Sequence, residues 1–191
     1  MKKTVTVALD IGNVCVTLQP ERALRALGLS RGTLPEEFTD AFCELECGRM
    51  EAAEWLSIFR RATGNRFTET ELLNIWNSII GDPMPGMEER VRSYTAKGVK
   101  FVYLSDVSRI HLDNVCRILP FAHLIADGIY SFEAGVRKPH SAIYELFESR
   151  HGIPDFYFDD KLCNVEAARK RGWNAVRFQC ADQLDAIGDL V

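Results

Sequence analysis

Short apolar runs punctuate this chain, and stretches with a helical apolar period lie between them. The runs 4–11, 99–105, 128–132, 156–158 and 175–178 read as strands. Helical patterns follow at 110–119, 142–151 and 164–172, the last closed by Gly172 where a helix C-cap favours glycine. Strands alternating with helices predict a parallel sheet with right-handed crossovers, so the expected fold class is α/β, a doubly wound parallel sheet.

From 21 to 89 the alternation breaks down. Helix-like patterns near 22–26, 36–45, 52–63 and 69–80 succeed one another, separated by Gly28, Gly32, Gly64 and the breaker cluster Gly81-Asp-Pro83-Met-Pro85-Gly86. This predicts a small helical cap, 19–89, inserted after strand one, with 1–18 and 90–191 forming the core. Entering and leaving beside the C-terminal edge of the sheet, the insert is placed as a lid over the site there. No internal repeat or low-complexity segment is visible.

Composition narrows the class. With 191 residues, 47% hydrophobic and 26% charged, the chain is long enough for one good core or for a core with a smaller insert. A formal net charge of −4 with scattered Lys and Arg offers no field for nucleic acid, so no such partner is expected. The start, Met1-Lys-Lys-Thr-Val-Thr-Val-Ala-Leu, resembles a signal peptide, but Asp10 ends the apolar run early and no small-residue cleavage site follows. No run reaches the ~18 apolar residues of a membrane span. The expectation is a cytoplasmic protein, a monomer or homodimer. Six cysteines (Cys15, Cys43, Cys47, Cys116, Cys163, Cys180) form no C-x-x-C pair and read as free thiols.

Candidate chemistry begins at Asp10, a carboxylate at the tip of the first apolar run with Gly12-Asn13 just beyond it. Open α/β sheets bind ligands at such strand ends. Asp10 is therefore a candidate nucleophile or metal ligand. The run Phe156-Tyr-Phe-Asp159-Asp160 repeats the arrangement, and two such strands side by side would gather Asp10, Asp159 and Asp160, hard oxygen ligands suited to Mg²⁺.

Four segments now stand in order: Asp10-Ile-Gly12-Asn13-Val, Leu104-Ser105-Asp106, Gly135-Val-Arg137-Lys138-Pro139 and Phe158-Asp159-Asp160-Lys-Leu-Cys-Asn164. The series resembles the four motifs of the haloacid dehalogenase-like (HAD) superfamily over the whole chain, including a helical cap after the first motif. It is most similar to the phosphatase branch that includes sugar-1-phosphate phosphatases. The resemblance implies a Rossmann-like HAD core and a Mg²⁺-dependent phosphomonoesterase acting on a small phosphorylated metabolite, with a sugar phosphate the leading class. Asp10 would attack phosphorus and form an aspartyl-phosphate. Ser105 would donate to one phosphoryl oxygen and Lys138 would hold another, with Gly12, Asn13, Asp106 and Asn164 completing the substrate site. Mg²⁺ would sit on Asp10, the Gly12 carbonyl and Asp160, with Asp159 acting through water or by orienting its neighbours. Plainer roles stay open: an Asx-turn for Asp159, and a helix N-cap for Asn164.

Two positions depart from the pattern. Most phosphatases of the superfamily carry a second Asp two residues after the nucleophile as general acid and base, worth roughly 10² to 10⁴ in rate; here that position is Gly12. Another acid or a water, a substrate with a good leaving group, or loss of catalysis would account for it. Asp106 stands where Asn is common, and is expected to turn away and cap the helix that follows. His111, expected on the helix surface, and Asp106 are alternative proton donors. Cys15 and Cys163 lack a recognisable His partner and are set aside as nucleophiles. In the insert, Phe42, Trp55, Phe59 and Trp76 read as its core, and Arg49, Arg60 and Arg61 as a solvated face. Two other functions compete: a non-catalytic phosphate-binding or regulatory protein, favoured by Gly12 and Asp106, and a 2-haloacid dehalogenase, for which Gly12 is harmless but Asp106 is unsuitable.

Overall fold

The computed structural model describes residues 4–30 and 33–191; Gly32, expected to break a helix, and the Met1 to Lys3 start lie outside them. Five parallel strands form one sheet in the order β5-β4-β1-β6-β7, where β1 is Thr6–Leu9, β4 Lys100–Ser105, β5 Asp127–Tyr130, β6 Phe156–Asp159 and β7 Ala175–Arg177. The order of strand addition reverses at β1: β4 and β5 build outward on one side, then the chain crosses back to lay β6 and β7 on the other. The C-terminal ends of β1 and β6 therefore flank the switch point, where ligands bind in such folds.

The strands read as apolar runs because both faces are buried. Val7, Leu9, Phe101, Tyr103 and Phe158 point to one face, and Ala8, Val102, Leu104 and Tyr157 to the other. Helices α5 (Met87–Ala96) and α6 (Arg109–Ile118) cover the first face with the C-terminal 3₁₀ segment Ala181–Leu190; α8 (Ser141–His151) and α9 (Leu162–Lys170) cover the second. A single helical turn, α7 (Ser131–Ala134), follows β5. Among the described residues no helix is long and apolar enough to cross a membrane.

Between β1 and β4 the chain leaves the sheet through β2 (Val16–Leu18) and returns through β3 (Ile80–Pro83), an antiparallel pair. Helices α1 (Pro20–Leu27), α2 (Glu36–Glu46), α3 (Ala52–Ala62) and α4 (Glu69–Asn77) lie between them. They share an aromatic cluster in which Phe38, Trp55, Phe59 and Trp76 pack tilted or edge-on at centroid distances of 4.8 to 6.0 Å. Such pairs contribute about 0.5–1.5 kcal/mol each beyond the area they bury. A capping box between Thr68 and Glu71 starts α4.

The last insert helix is shorter than its expected extent, 69–80. It ends at Asn77, and Ile80 instead opens β3, because the backbone there pairs with β2 and Gln19 N donates to Ile79 O at 2.7 Å. Pro83, read as a breaker, fits at the end of this two-stranded edge. Gly48, just after α2, has φ +65, and a Cβ there would lie 2.0 Å from the Phe132 carbonyl oxygen. The insert thus meets the backbone after β5 at a contact only glycine permits.

Candidate active site

The end of β1 is held in register beyond its last strand residue, since Asp10 N donates to Phe158 O at 2.9 Å. The chain then turns tightly: Cys15 N and Val16 N both bond to Ile11 O, with Asn13 at φ +56. Asn tolerates that left-handed conformation better than other side-chain-bearing residues. Asn13 Oδ1 accepts from Leu18 N and its Nδ2 donates to Asp160 Oδ2, each at 3.0 Å. One side chain therefore ties the turn to β2 and to the end of β6.

Asp10 is buried, and its Oδ1 accepts from Ile11 N (2.8 Å) and Ser105 Oγ (2.7 Å) and pairs with Lys138 Nζ at 3.0 Å. None of these bonds uses Oδ2. Lys138 also donates to Asp159 Oδ2 (2.7 Å) and Leu104 O (2.8 Å), so its three donors have three protein acceptors. Asp159, fully buried, accepts in addition from Tyr157 Oη, Asn164 Nδ2 and Lys161 N. Both its oxygens are taken: Asp159 orients Lys138 and forms an Asx-turn with Lys161 at the start of α9, while the Asn164 amide orients Asp159.

Asp10, Asp159 and Asp160 offer carboxylate oxygens within 4.8 Å of one another. Asp160 Oδ1 is buried with no hydrogen-bond partner among the described residues. Three carboxylates against one ammonium leave a negative excess in a buried place, an arrangement that burial penalises unless a cation joins it. Burial pushes Asp10 up to about 6, with Asp159 adding to the rise and Lys138 opposing it. Burial also raises Asp159, but Lys138 and the donors around it outweigh that and hold it below the usual carboxylate range. Lys138, which burial alone would depress, is raised by Asp10 and Asp159 and stays an ammonium.

Asp106 does not cap the helix after it. Its Oδ1 accepts from Lys138 N at 2.8 Å and its Oδ2 lies 3.9 Å from Arg137 Nε, while Ser108 caps α6. The carboxylate is drawn to the Arg137-Lys138 loop and fixes the backbone that delivers Lys138. His111 is not a surface residue: it is 6% exposed, stacks on Trp76 at 5.0 Å, and places Nε2 3.2 Å from Trp76 O. Burial pushes it down to about 4, so it is neutral near pH 7. Cys15 is buried beside Asp10, and burial first, then the Asp10 charge, raises its thiol far above the ordinary value. Arg49 lies on no purely solvated face, since it donates to Gly135 O at 2.8 Å while gripping Glu44. Arg61 pairs with Glu37 in the open.

A cavity of about 370 Å³ opens from this site under the insert. Gly12, Ser105 and Asp106 form one end, and Leu24, Phe38, Phe42 and Trp76 line its walls. Glu46 and His111 also face it. Sequence reasoning passed over Glu46, a buried carboxylate 3.2 Å from the Arg137 guanidinium. The signal was there: Glu46 continues the Phe38, Phe42 stripe of α2 at a spacing of four residues. A Cβ on Gly12 would lie 2.8 Å from Cδ1 of Leu18, the tip of an exposed side chain.

An acidic site at the switch point of a parallel sheet, roofed by helices inserted after the first strand, defines the class of protein. No protein-family model matches the sequence, and no curated protein matches it. Solved structures do. A HAD-family enzyme from Bacteroides thetaiotaomicron superposes with a TM-score of 0.83 at 19% identity, over 98% of this chain and 99% of that one. The same enzyme in complex with magnesium and inorganic phosphate gives 0.77 at 19% identity, over 94% and 96%. A predicted HAD-like family hydrolase from Porphyromonas gingivalis gives 0.80 at 19%, over 98% and 97%. The L-2-haloacid dehalogenase of Xanthobacter autotrophicus gives 0.64 at 15%, over 97% and 82%. The fold of this chain is that of the HAD-family hydrolases.

Proposed function

We propose that this protein is a Mg²⁺-dependent phosphohydrolase that cleaves small phosphate monoesters through an aspartyl-phosphate on Asp10. The observation that carries the reading is the acidic cluster, with Asp160 Oδ1, which has no partner among the described residues, beside Asp10 and an excess of negative charge. Such a set of hard oxygens fits a divalent cation, and the Bacteroides enzyme of the same fold was crystallised with magnesium and inorganic phosphate. Asp10, Asp160 and the Gly12 carbonyl would hold the ion, which when bound supplies charge neutralisation at the phosphoryl oxygens.

The remaining roles belong to the chain. Asp10 Oδ1 is pinned by Ile11 N, Ser105 and Lys138, which leaves Oδ2 as the attacking oxygen. Lys138, kept charged by Asp159, keeps Asp10 ionised despite its burial. Ser105 Oγ, at the cavity end, is placed to share its hydrogen bond with a phosphoryl oxygen. The helices between β2 and β3 act as a cap that shields the reaction from water. A dehalogenase reading draws support from the apolar cavity and from Gly12, but gives Asp160 no task.

The test is phosphate release from a panel of monoesters, sugar 1-phosphates included, with Mg²⁺ or EDTA, beside chloride release from 2-chloropropionate. Metal-dependent phosphate release that Asp10→Asn abolishes, by 10³-fold or more, is the expected result. Chloride release without phosphate release transfers the site to the dehalogenase, and phosphate binding without turnover to a non-catalytic protein.

A further inference from the structure

We infer that the substrate is the phosphate monoester of a small aromatic alcohol, with its ring seated in the cavity under the insert; this rests on the phosphohydrolase reading above. Two independent features agree. The first is the wall. At about 370 Å³ the cavity is in the range of small-molecule sites, roughly 300–1,000 Å³. Its sides, from α1, α2, α4 and β3, are Leu24, Phe38, Phe42, Trp76 and Ile80.

The polar side chains that line the cavity are few, and apart from Glu46 Oε2 they are engaged within the protein. Asp106 accepts from Lys138 N, Glu46 pairs with Arg137, His111 Nε2 meets Trp76 O, and Ser105 donates to Asp10. A hexose would bring several hydroxyls into this space, and each one left unpaired costs roughly five-fold or more in binding. An aromatic ring brings none and packs against Phe38, Phe42 and Trp76.

The second feature is Gly12. No acid stands there to protonate a leaving oxygen. A phenol, with a pKa of about 10 as for tyrosine, leaves as its anion. An alkyl alcohol, whose pKa lies near the ~15.7 of water, does not leave readily without a proton. In the step, the Asp10 Oδ2 to phosphorus bond forms as the bond from phosphorus to the ring oxygen breaks. That oxygen keeps the electron pair and takes a proton from solvent after release. Water then cleaves the aspartyl-phosphate, giving inorganic phosphate and restoring Asp10. The wall that excludes hydroxyls and the missing acid thus select one chemistry.

The experiment compares kcat/KM for 2-naphthyl phosphate, phenyl phosphate, glucose 1-phosphate and acetyl phosphate with Mg²⁺, alongside calorimetric titration with 2-naphthol. The expected order places 2-naphthyl phosphate at least 100-fold above glucose 1-phosphate, with 2-naphthol binding the enzyme. Leu24→Lys, at a half-buried wall position, and the milder Phe42→Leu should lower the ratio of 2-naphthyl to acetyl phosphate kcat/KM, the former by 10-fold or more. Preference for glucose 1-phosphate, or turnover of acetyl phosphate alone, overturns the inference and leaves the hydrolase standing. Phosphate release from none of the four overturns the hydrolase instead. In that case 2-naphthol binding that Leu24→Lys abolishes upholds the cavity as an aromatic site, and absence of binding overturns it as well.

Discussion

Replacing Glu46 by Gln should stabilise this protein above neutral pH, although it removes one partner of an ion pair. Glu46 lies buried at the end of α2, 3.2 Å from Arg137, but its Oε2 has no aligned hydrogen bond, and Arg137 is itself partly open to solvent. Burial therefore outweighs the attraction of Arg137, and the carboxyl is raised from 4.5 to about 7. A group whose folded pKa is raised binds its proton more tightly in the native state, so stability is lost as pH rises from 4.5 through 7. A rise of that size, at about 1.4 kcal/mol per unit, comes to about 3 kcal/mol at pH 8. Gln mimics the protonated form and escapes this cost. Urea unfolding at pH 5 and pH 8 measures the difference. The variant should match the wild type within about 1 kcal/mol at pH 5 and exceed it by about 3 kcal/mol at pH 8, a midpoint shift of about 1 M or more. A Glu46→Gln protein less stable than wild type at pH 8 would refute the reasoning, because it would mean that the Arg137 pair more than offsets desolvation.

Other perturbations test the remaining contacts. Lys138→Met leaves Asp10 and Asp159 buried without their shared cation and should cost about 3–5 kcal/mol, seen as a fall in Tm of roughly 6–20 °C at pH 7.5; a Tm within 2 °C of wild type contradicts it. His111, depressed from 6.5 to about 4, contributes a loss of stability as pH falls through that window, about 3 kcal/mol in full. His111→Phe, which keeps the ring against Trp76, should flatten that acid limb in thermal melts from pH 7 to pH 4. Gly48→Ala places a Cβ 2.0 Å from Phe132 O at a left-handed backbone position and should destabilise by about 2 kcal/mol or more by chemical denaturation.

The parts of the fold visible in the sequence are those where one physical demand dominates. β1, β4 and β6 are covered on both faces, so they read as apolar runs, and the helices of the insert share an aromatic core whose period shows plainly. β2 and β3 escaped notice because they are short, only partly buried and close to Gly81 and Pro83. α5 escaped because only Met87, Val91 and Tyr94 of its polar sequence reach the sheet. At the site, parallel topology alone brings the ends of β1, β4 and β6 together, so Asp10, Ser105 and Asp159 were legible as neighbours. What each carboxylate bonds to was not. Asp106 turns to the backbone of Lys138, and Glu46 meets Arg137 across the seam, through contacts between distant segments that no local pattern encodes.

The electrostatics of the centre explain why its residues must act as a unit. Asp10 can be ionised while buried only because Lys138 is beside it, and Lys138 remains an ammonium in the same dry place only because Asp159 shares it. Asp159 in turn is held by Tyr157, Asn164 and Lys161, so the orientation of Asp10 traces back to the first turn of α9. The arrangement still leaves a deficit of positive charge, and it falls at Asp160, whose Oδ1 has no partner among the described residues. Protein groups have thus fixed one oxygen of Asp10 and balanced one neighbouring carboxylate, and the uncompensated charge on the outer one fits the proposed cation. Two residues after Asp10, Gly12 supplies no side chain to donate a proton. The substrate proposed above matches this division, with its phosphate at the charged end and its ring against the apolar wall.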